Sequence, residues 1–374
     1  MMKSNHILLA AGGTGGHIVP ALALCAGLKK NGFTCEILTD RRGRILLEKI
    51  APDQKAHEIS AASPFFGNKI QRLLSLFKLV FGVIQSLFHI IKFRPFCVIG
   101  FGGYPSAPPL IAARICQIPS LLHEQNAKIG RANLFLANFA KKMLLSWKNS
   151  NPLPQKTPVI FSGLPVRNIF FEFADYEDKS EFSTENPCHL LIAGGSLGAE
   201  VFAKLIPTAI SNLPQDLQKS LTITQQVRPE QKSKLEATYS AMEIRHFCSS
   251  FFIKMPDEMA KADVIISRAG AASVAEIAAI GRAAIFIPFP ASLDDHQTCN
   301  AKCLADENAA ILISQKEAET DPSILTKHLS SLILNPHKCK QIAAKARSLA
   351  HEGALNEIIS AVLSCRKPSI RGAK

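Results

Sequence analysis

Along the whole chain, apolar runs of strand length alternate with longer segments of helical periodicity, the pattern of parallel sheets built from βαβ units. In the first half the runs at 7–11, 34–39, 97–101 and 120–123 predict strands. The second half adds 189–193, 221–224, 263–267, 283–287 and 309–313. The chain also repeats itself: ILLAAGGTGGH at 7–17 and LLIAGGSLGAE at 190–200 each read as an apolar strand, a Gly-Gly pair, a hydroxyl residue and the start of a helix. Two doubly wound α/β domains follow, 1–170 and 188–352. Between them, 171–187 is charged and aperiodic and reads as a linker. In the last segment, 353–374, the stretch 354–365 is helical in pattern and is expected to pack back on the first domain.

One segment breaks the alternation. Residues 65–95, FFGNKIQRLLSLFKLVFGVIQSLFHIIKFRP, are the most apolar of the chain, yet Lys69, Arg72, Lys78 and Lys92 interrupt them, and the uncharged part at 79–91 is too short to span a bilayer. Charge sharpens this picture. The net charge is +13, and between Glu58 and Glu172 thirteen Lys and Arg face the single carboxylate of Glu124, so this stretch holds +12 of it. A field of one sign over one lobe attracts nucleic acid or an anionic membrane surface. The apolar segment favours the membrane, and neither lobe carries an aromatic–basic platform or a nucleic-acid motif, so no nucleic-acid partner is expected. Burial of the apolar segment in the first domain's core is the competing expectation.

Composition narrows the class further. At 374 residues the chain is long enough for two lobes, and its 47% of hydrophobic residues, with 22 Pro and 21 Gly lacking a short period, exclude collagen-like and disordered classes. Ten scattered cysteines form no zinc or disulfide framework, which points to a reducing cytoplasmic setting. The N-terminal run leads straight into a glycine turn and does not read as a signal peptide.

The glycine turns are the candidate chemistry. In 10-AAGGTGGHIVPALAL-24 a strand ends at a turn that lets a ligand approach the backbone, and the next helix points its N-terminus there, with Pro20 expected in that helix's first turn. A glycine turn that merely packs a helix on a strand is the simpler account of one copy. A second copy and a third turn, 100-GFGGYPSAPP-109, favour a cleft rimmed by backbone amides, suited to a diphosphate and a hydroxylated sugar. Neither the dinucleotide G-x-G-x-x-G nor a Walker lysine is met. The sharpest segment is 263-DVIISRAGAASVAEIAAIGRAAIFIPFPASLDDHQTCNA-301. There, 269–273 opens a helix whose amides can bind diphosphate, and Glu276 follows within reach of a ribose diol.

Taken together, GGTGGH at 12–17, GFGGYPS at 100–106, HEQNAKIG at 123–130, G-x-PVR at 163–167, GGSLGA at 194–199, RAGAASVAEI at 268–277 and DDHQTCNA at 294–301 resemble the MurG family across nearly the whole chain. These are the N-acetylglucosaminyltransferases that convert peptidoglycan lipid I into lipid II. The resemblance implies the GT-B arrangement of two Rossmann-like domains facing a cleft, with UDP-N-acetylglucosamine held mainly by the C-terminal lobe and the polyprenyl-linked acceptor by the N-terminal one. It also implies peripheral attachment to the cytoplasmic face of the plasma membrane.

Residue by residue, the resemblance implies that Ile253, or its neighbour Phe252, offers backbone groups to uracil. Glu276 would bind ribose, Ala271, Ala272, Ser273, Val274, Ala275 and Glu276 would line the diphosphate, and Gln297 with His296 would recognise sugar hydroxyls. Ser196 and Arg167 would contact the nucleotide-sugar, while Thr14, Gly15, Gly16 and Asn126 reach it from the other lobe. Two positions depart from the family: Leu164 stands where Asn is usual, and 225-QQVRPE-230 replaces a His-Gln-x-Gly turn.

Inverting transfer needs a base for the acceptor's 4-hydroxyl and stabilisation of the leaving UDP. No Asp-x-Asp occurs, so neither a metal nor another cofactor is expected. His17 is the first choice of base, because an unperturbed imidazole titrates near neutrality; capping of the turn is its other reading. Glu124 is the rival, and its basic surroundings should depress its pKa and make it an orienting group. A nicotinamide oxidoreductase lacks support in the first turn. A glycolipid synthase or UDP-sugar epimerase of the same fold is the nearest alternative.

Overall fold

The computed structural model describes residues 4–62, 68–173, 179–194 and 200–366. The chain divides into two compact units, one running to Val166 and resuming at Gly353, the other spanning Arg167–Glu352. The region expected as a linker is counted with the second unit, and its residues 174–178 lie outside the described part.

In the first unit the strands are β1 (His6–Ala10), β2 (Thr34–Thr39), β3 (Ala56–Glu58), β4 (Cys97–Gly100), β5 (Ser120–Glu124), β6 (Lys142–Leu145) and β7 (Val159–Phe161). They form one parallel sheet in the order β3-β2-β1-β4-β5-β6-β7. The helices are α1 (Gly15–Lys30), α2 (Arg41–Ile50), α3 (Lys69–Phe93), α4 (Ala107–Ile115) and α5 (Arg131–Ala137). Ile7, Leu8, Leu9 and Ala10 of β1 are all fully buried, because both faces of the sheet are covered. Ile7 and Leu9 pack towards α1, whereas Leu8 packs with α4 residues on the other face. α1 begins at Gly15, so Pro20 sits in its second turn, inside the helix, and not in the first turn as expected from the sequence.

The second unit begins with α6 (Ile169–Glu172) and builds a six-stranded sheet from β8 (Cys188–Ala193), β9 (Leu221–Gln226), β10 (Arg245–Ser249), β11 (Val264–Ser267), β12 (Ala283–Phe286) and β13 (Ile311–Leu312). The order β10-β9-β8-β11-β12-β13 is again parallel throughout. Its helices are α7 (Phe202–Ser211), α8 (Gln215–Lys219), α9 (Pro229–Ala241), α10 (Met255–Lys261), α11 (Ala271–Ile280), α12 (His296–Ala305), α13 (Gln315–Thr320), α14 (Ser323–Ile333) and α15 (Pro336–Leu349). The chain then returns to the first unit through α16 (Ala354–Leu363), whose Leu355 and Ile359 lie so close to Gly27 of α1 that a Cβ there would meet them at 3.0–3.1 Å.

Each sheet reverses its strand order once, between β1 and β4 and between β8 and β11, and ligands of open α/β sheets bind beyond the strand ends at such a point. Strands β3, β6, β7 and β10 escape the sequence reading because they are short or polar: AHE, KMLL, VIF and RHFCS.

α3 differs from the other helices. It is long and apolar enough to cross a membrane by length and composition, with only 17% of its most apolar window buried. Ile70, Leu73, Phe77, Val80, Phe81, Ile84, Phe88 and Ile91 are all more than half exposed and recur at three- and four-residue spacing, so they form one outward apolar stripe. The opposite side holds the helix to the unit. A Cβ on Gly82 would sit 1.9 Å from the Ser60 carbonyl oxygen, and Gln85 accepts the Ser60 amide at 2.7 Å. Core burial therefore accounts for Gly82, Ser86 and Ile90 but not for the apolar stripe.

Candidate active site

In the first unit, three sequence motifs meet beyond the ends of β1, β4 and β5. The Gly12 amide donates to the Gly102 carbonyl at 3.2 Å, and the Ser106 hydroxyl donates to the carbonyls of Ala10 at 3.0 Å and Gly102 at 2.8 Å. Gly102 and Gly103 have φ of +87° and +72°, the left-handed region where a side chain is strained. Gly15 and Gly16 behave differently: a Cβ on Gly15 would have nothing within 4 Å, and one on Gly16 would meet only the Thr14 hydroxyl at 3.9 Å. Glycine costs helix stability relative to alanine, so internal packing does not explain these two residues. His17 lies in the first turn of α1, and its Nδ1 is 3.0 Å from Thr14 Oγ1.

Glu124 closes β5 and is 1% exposed. Its Oε1 accepts from the Asn126 amide at 2.9 Å and Asn126 Nδ2 at 3.1 Å; its Oε2 accepts from the Gly130 amide at 3.1 Å and Asn133 Nδ2 at 2.8 Å. The expectation of a depressed pKa is wrong: burial pushes the carboxyl up, and the four hydrogen bonds only partly oppose it. The lysines and arginines that fill this lobe's sequence are not what holds the group; neutral donors of its own loop and Asn133 of α5 are. Next to it, His123 is fully buried, and burial pulls its imidazole down to about 4. The neutral ring donates from Nε2 to the Gly163 carbonyl at 3.0 Å, while Nδ1 accepts from Gln125 Nε2 at 3.0 Å. Loop 124–130 is thus held by buried side chains at both ends.

In the second unit, β11 runs through Arg268 into α11. Gly270 is the N-cap in extended conformation, no side chain caps the helix, and its first turn holds no acidic residue. The amides of Ala271, Ala272 and Ser273 consequently point their dipoles at whatever lies beyond. The loop before them is pinned from three sides. Gln297 Oε1 accepts from the amides of Phe289 at 2.9 Å and Ala269 at 3.3 Å, and Asn300 Nδ2 donates to the Ala269 carbonyl at 3.1 Å. Arg268 donates to the carbonyls of Ile287 and Pro288, both at 2.9 Å, and to Gln315 at 2.8 Å, with its guanidinium 4.8 Å from the Phe202 ring centre.

Glu276, Arg167 and α6 come together: α6 packs on α11, Glu276 is half-buried, and withdrawal from water pushes its carboxyl up to about 7 while Arg167 pulls the other way. Arg167 itself is exposed and stacks over Phe170 at 5.1 Å. Ile253 is 89% exposed and Phe252 only 8%. His296 Nδ1 is held 2.7 Å from the Leu293 carbonyl, and the carbonyl of Gln297 is engaged by backbone, so its amide nitrogen is the end left for a hydroxyl. Ser196 lies outside the described residues, as does most of the second glycine turn.

Four residues that hold these pieces were not singled out from the sequence: Asn133, Gln125, Arg268 and Asn300. Three of them, Gln125, Arg268 and Asn300, lie inside quoted motifs, but only their partners in space reveal what they do. Among the described residues, no group of three or more His, Cys, Asp and Glu is arranged to hold a metal ion.

Comparison with known proteins agrees with this architecture. The N-terminal domain of glycosyltransferase family 28 matches residues 7–145 and the C-terminal domain of that family matches 189–358. A protein of Methylorubrum extorquens (strain PA1), UDP-N-acetylglucosamine–N-acetylmuramyl-(pentapeptide) pyrophosphoryl-undecaprenol N-acetylglucosamine transferase, is 38% identical over 348 residues, 91% of this chain and 92% of that one. The crystal structure of Acinetobacter baumannii MurG superposes with a TM-score of 0.76 at 30% identity, covering 96% of this chain and 99% of that one. UDP-GlcNAc 2-epimerase from Neisseria meningitidis, at 14% identity and a TM-score of 0.66 over 96% of this chain and 100% of the epimerase, shares the fold alone. With both of its units matched and its relatives covered nearly end to end, the chain belongs to the MurG family of family 28 glycosyltransferases, with the GT-B fold.

Proposed function

We propose that this protein transfers N-acetylglucosamine from UDP-N-acetylglucosamine to the 4-hydroxyl of the N-acetylmuramoyl-pentapeptide on a polyprenyl diphosphate, converting lipid I into lipid II with inversion. The observation that carries the reading is the 38% identity, over 91% of this chain, to a transferase of that name, joined to the uncapped start of α11 beside Glu276. In this reading the amides of Ala271 to Ser273 hold the diphosphate, Val274 and Ala275 line it, and Glu276 accepts from the ribose diol. Ile253 borders uracil, and His296 with the amide of Gln297 meets the sugar. Arg167 and Ser196 complete the donor contacts, with Thr14, Gly15, Gly16 and Asn126 contributing from the first unit.

The acceptor oxygen attacks the anomeric carbon as its proton passes to His17. The bond from that carbon to the β-phosphate oxygen breaks, and its electron pair leaves with UDP. Helix dipole and amides stabilise the charge gathering there, each such contact contributing about 0.3–1 kcal/mol at an exposed site. For His17 Nε2 to accept a proton, Nδ1 must carry its own and donate to Thr14 Oγ1, so the 3.0 Å contact supports Thr14 as the group that selects the tautomer. Glu124, saturated by four donors, serves to hold loop 124–130 and is not the base.

The exposed stripe of α3 is the surface that meets the anionic lipid of the cytoplasmic membrane face, near the polyprenyl acceptor. The close seat of Gly82 on Ser60 favours a helix lying in the interface over one that crosses it. Transfer of radiolabelled N-acetylglucosamine to a lipid I analogue, with unlabelled UDP-glucose as competitor and a chelator present, tests the whole reading. Labelled disaccharide lipid is the expected product. UDP binding without transfer would retain the donor site and reject the acceptor.

A further inference from the structure

We infer that Arg282 is the positioning residue of the donor subsite, its buried guanidinium tying together the ends of the three helices that carry the diphosphate, ribose and uracil contacts. The inference rests on the donor-site reading above.

Arg282 is 3% exposed. Its Nη1 donates to the carbonyls of Ile280 at 2.9 Å and Gly281 at 3.0 Å, where α11 ends. Its Nη2 donates to the carbonyl of Ala260 at 2.8 Å in the last turn of α10, and to that of Phe173 at 3.3 Å, the C-cap of α6. Three helix C-termini, each with carbonyls that lack a partner inside the helix and a negative dipole end, therefore converge on one cation. A guanidinium is suited to this because its planar fork reaches several acceptors at once, which an ammonium cannot do in fixed geometry.

The same helices carry the proposed donor contacts at or before their other ends. Arg167 precedes α6, Ile253 precedes α10, and 271–276 are the first turns of α11. The three pack on one another pairwise. α11 has ten residues, so the ends tied by Arg282 lie about 15 Å along the helix from the amides at its start. Arg282 touches no substrate at that distance; it sets the rotation and register of the helices that do.

The test compares Arg282→Met, Arg282→Lys and Glu276→Gln in the full chain, at temperatures below each variant's Tm. The readouts are the Kd for UDP and the KM values for donor and acceptor. A misplacement of the order of 1 Å at a binding constellation can cost about a hundredfold. On that scale Arg282→Met is expected to raise the Kd for UDP and the donor KM by about ten- to a hundredfold, with the acceptor KM unchanged. Arg282→Lys should recover part of the loss. A lowered Tm with unchanged UDP affinity and donor KM would make Arg282 a stability residue and overturn the inference. If Arg282→Met does not fold, the lysine variant decides, and a wild-type Kd for UDP there overturns it. Glu276→Gln separates the two claims: unchanged UDP binding in that variant rejects the donor site itself, whereas weakened binding there beside an unaffected Arg282→Met rejects only the positioning role.

Discussion

The carboxyl of Glu276 combines a half-buried position with a pKa pushed up to about 7, and this ties donor binding to pH. Ribose hydroxyls donate to the ionised form, so bound nucleotide favours loss of the proton. The Kd for UDP should fall as pH rises from 6 to 8, and Glu276→Gln should flatten that dependence; calorimetry across the range checks it. His17 and Glu124 separate by what they touch. Removing a general base costs about 10²–10⁴ in rate; His17→Ala should lose kcat on that order with little change in Tm. Glu124→Gln places an NH2 against donors, and a buried group left unpaired costs about 1–3 kcal/mol. It should therefore lower Tm as well as activity. A Glu124→Gln protein of unchanged Tm and normal turnover would contradict the four-donor geometry. His123 adds a second pH effect. Its folded pKa of about 4 lies below the ordinary 6.5, so the stability it contributes is present above pH 6.5 and is lost as pH falls towards 4. The loss is about 3 kcal/mol for a shift of this size in a fully buried group.

At the scale of elements, α3 carries two separable features on opposite sides. Gly82→Ala puts a methyl into the Ser60 carbonyl, and overpacking of this kind costs about 1–3 kcal/mol. It should lower Tm and loosen the helix from its seat. Replacing Phe77 and Ile84 by Gln, both more than half exposed, should leave Tm in place and weaken binding to vesicles containing anionic lipid. Sedimentation of both variants with such vesicles, alongside thermal melts, distinguishes the seat from the docking face. α11 illustrates the other role of an element: with no side-chain cap and no acid in its first turn, its amides are open to the diphosphate proposed for them, and half-buried Gln297 and buried Asn300 hold the Ala269 loop that precedes them.

For the molecule as a whole, the net charge of +13 is concentrated in the first unit's sequence, and surface electrostatics weaken as salt shortens the screening length from about 10 Å at 0.1 M to about 3 Å at 1 M. Vesicle binding should consequently fall with added salt to a residual level set by the apolar stripe, and that residual should vanish in the Phe77, Ile84 double variant. Binding independent of both salt and anionic lipid would remove the electrostatic component. Turnover should also persist in excess chelator, since the amides and cations proposed for the donor site supply the charge stabilisation themselves; a loss restored by magnesium would count against that chemistry.

The linear order of apolar runs was sufficient to read the two parallel α/β sheets, because strands buried on both faces leave continuous hydrophobic runs such as Ile7 to Ala10. Glycine spacing likewise located the turns beyond β1, β4 and β11; in the first two a neighbouring segment leaves no room for a Cβ, which would meet Asp40 at 2.3 Å from Gly13 and Asn133 at 2.8 Å from Gly102. What only the tertiary structure decided is what stands beside each group. Glu124 reads in sequence as one carboxylate among thirteen cations, yet folding buries it among amides and reverses the direction of its pKa. Pro20 reads as a first-turn residue because helix starts are set by capping geometry that composition does not specify. Nothing in the local pattern singles out Arg282, whose four carbonyl partners come from residues 1, 2, 22 and 109 positions away. Local pattern determines the elements because periodicity is written in neighbouring residues; desolvation and hydrogen-bond partnership depend on which distant residues packing brings together, and no local pattern carries that.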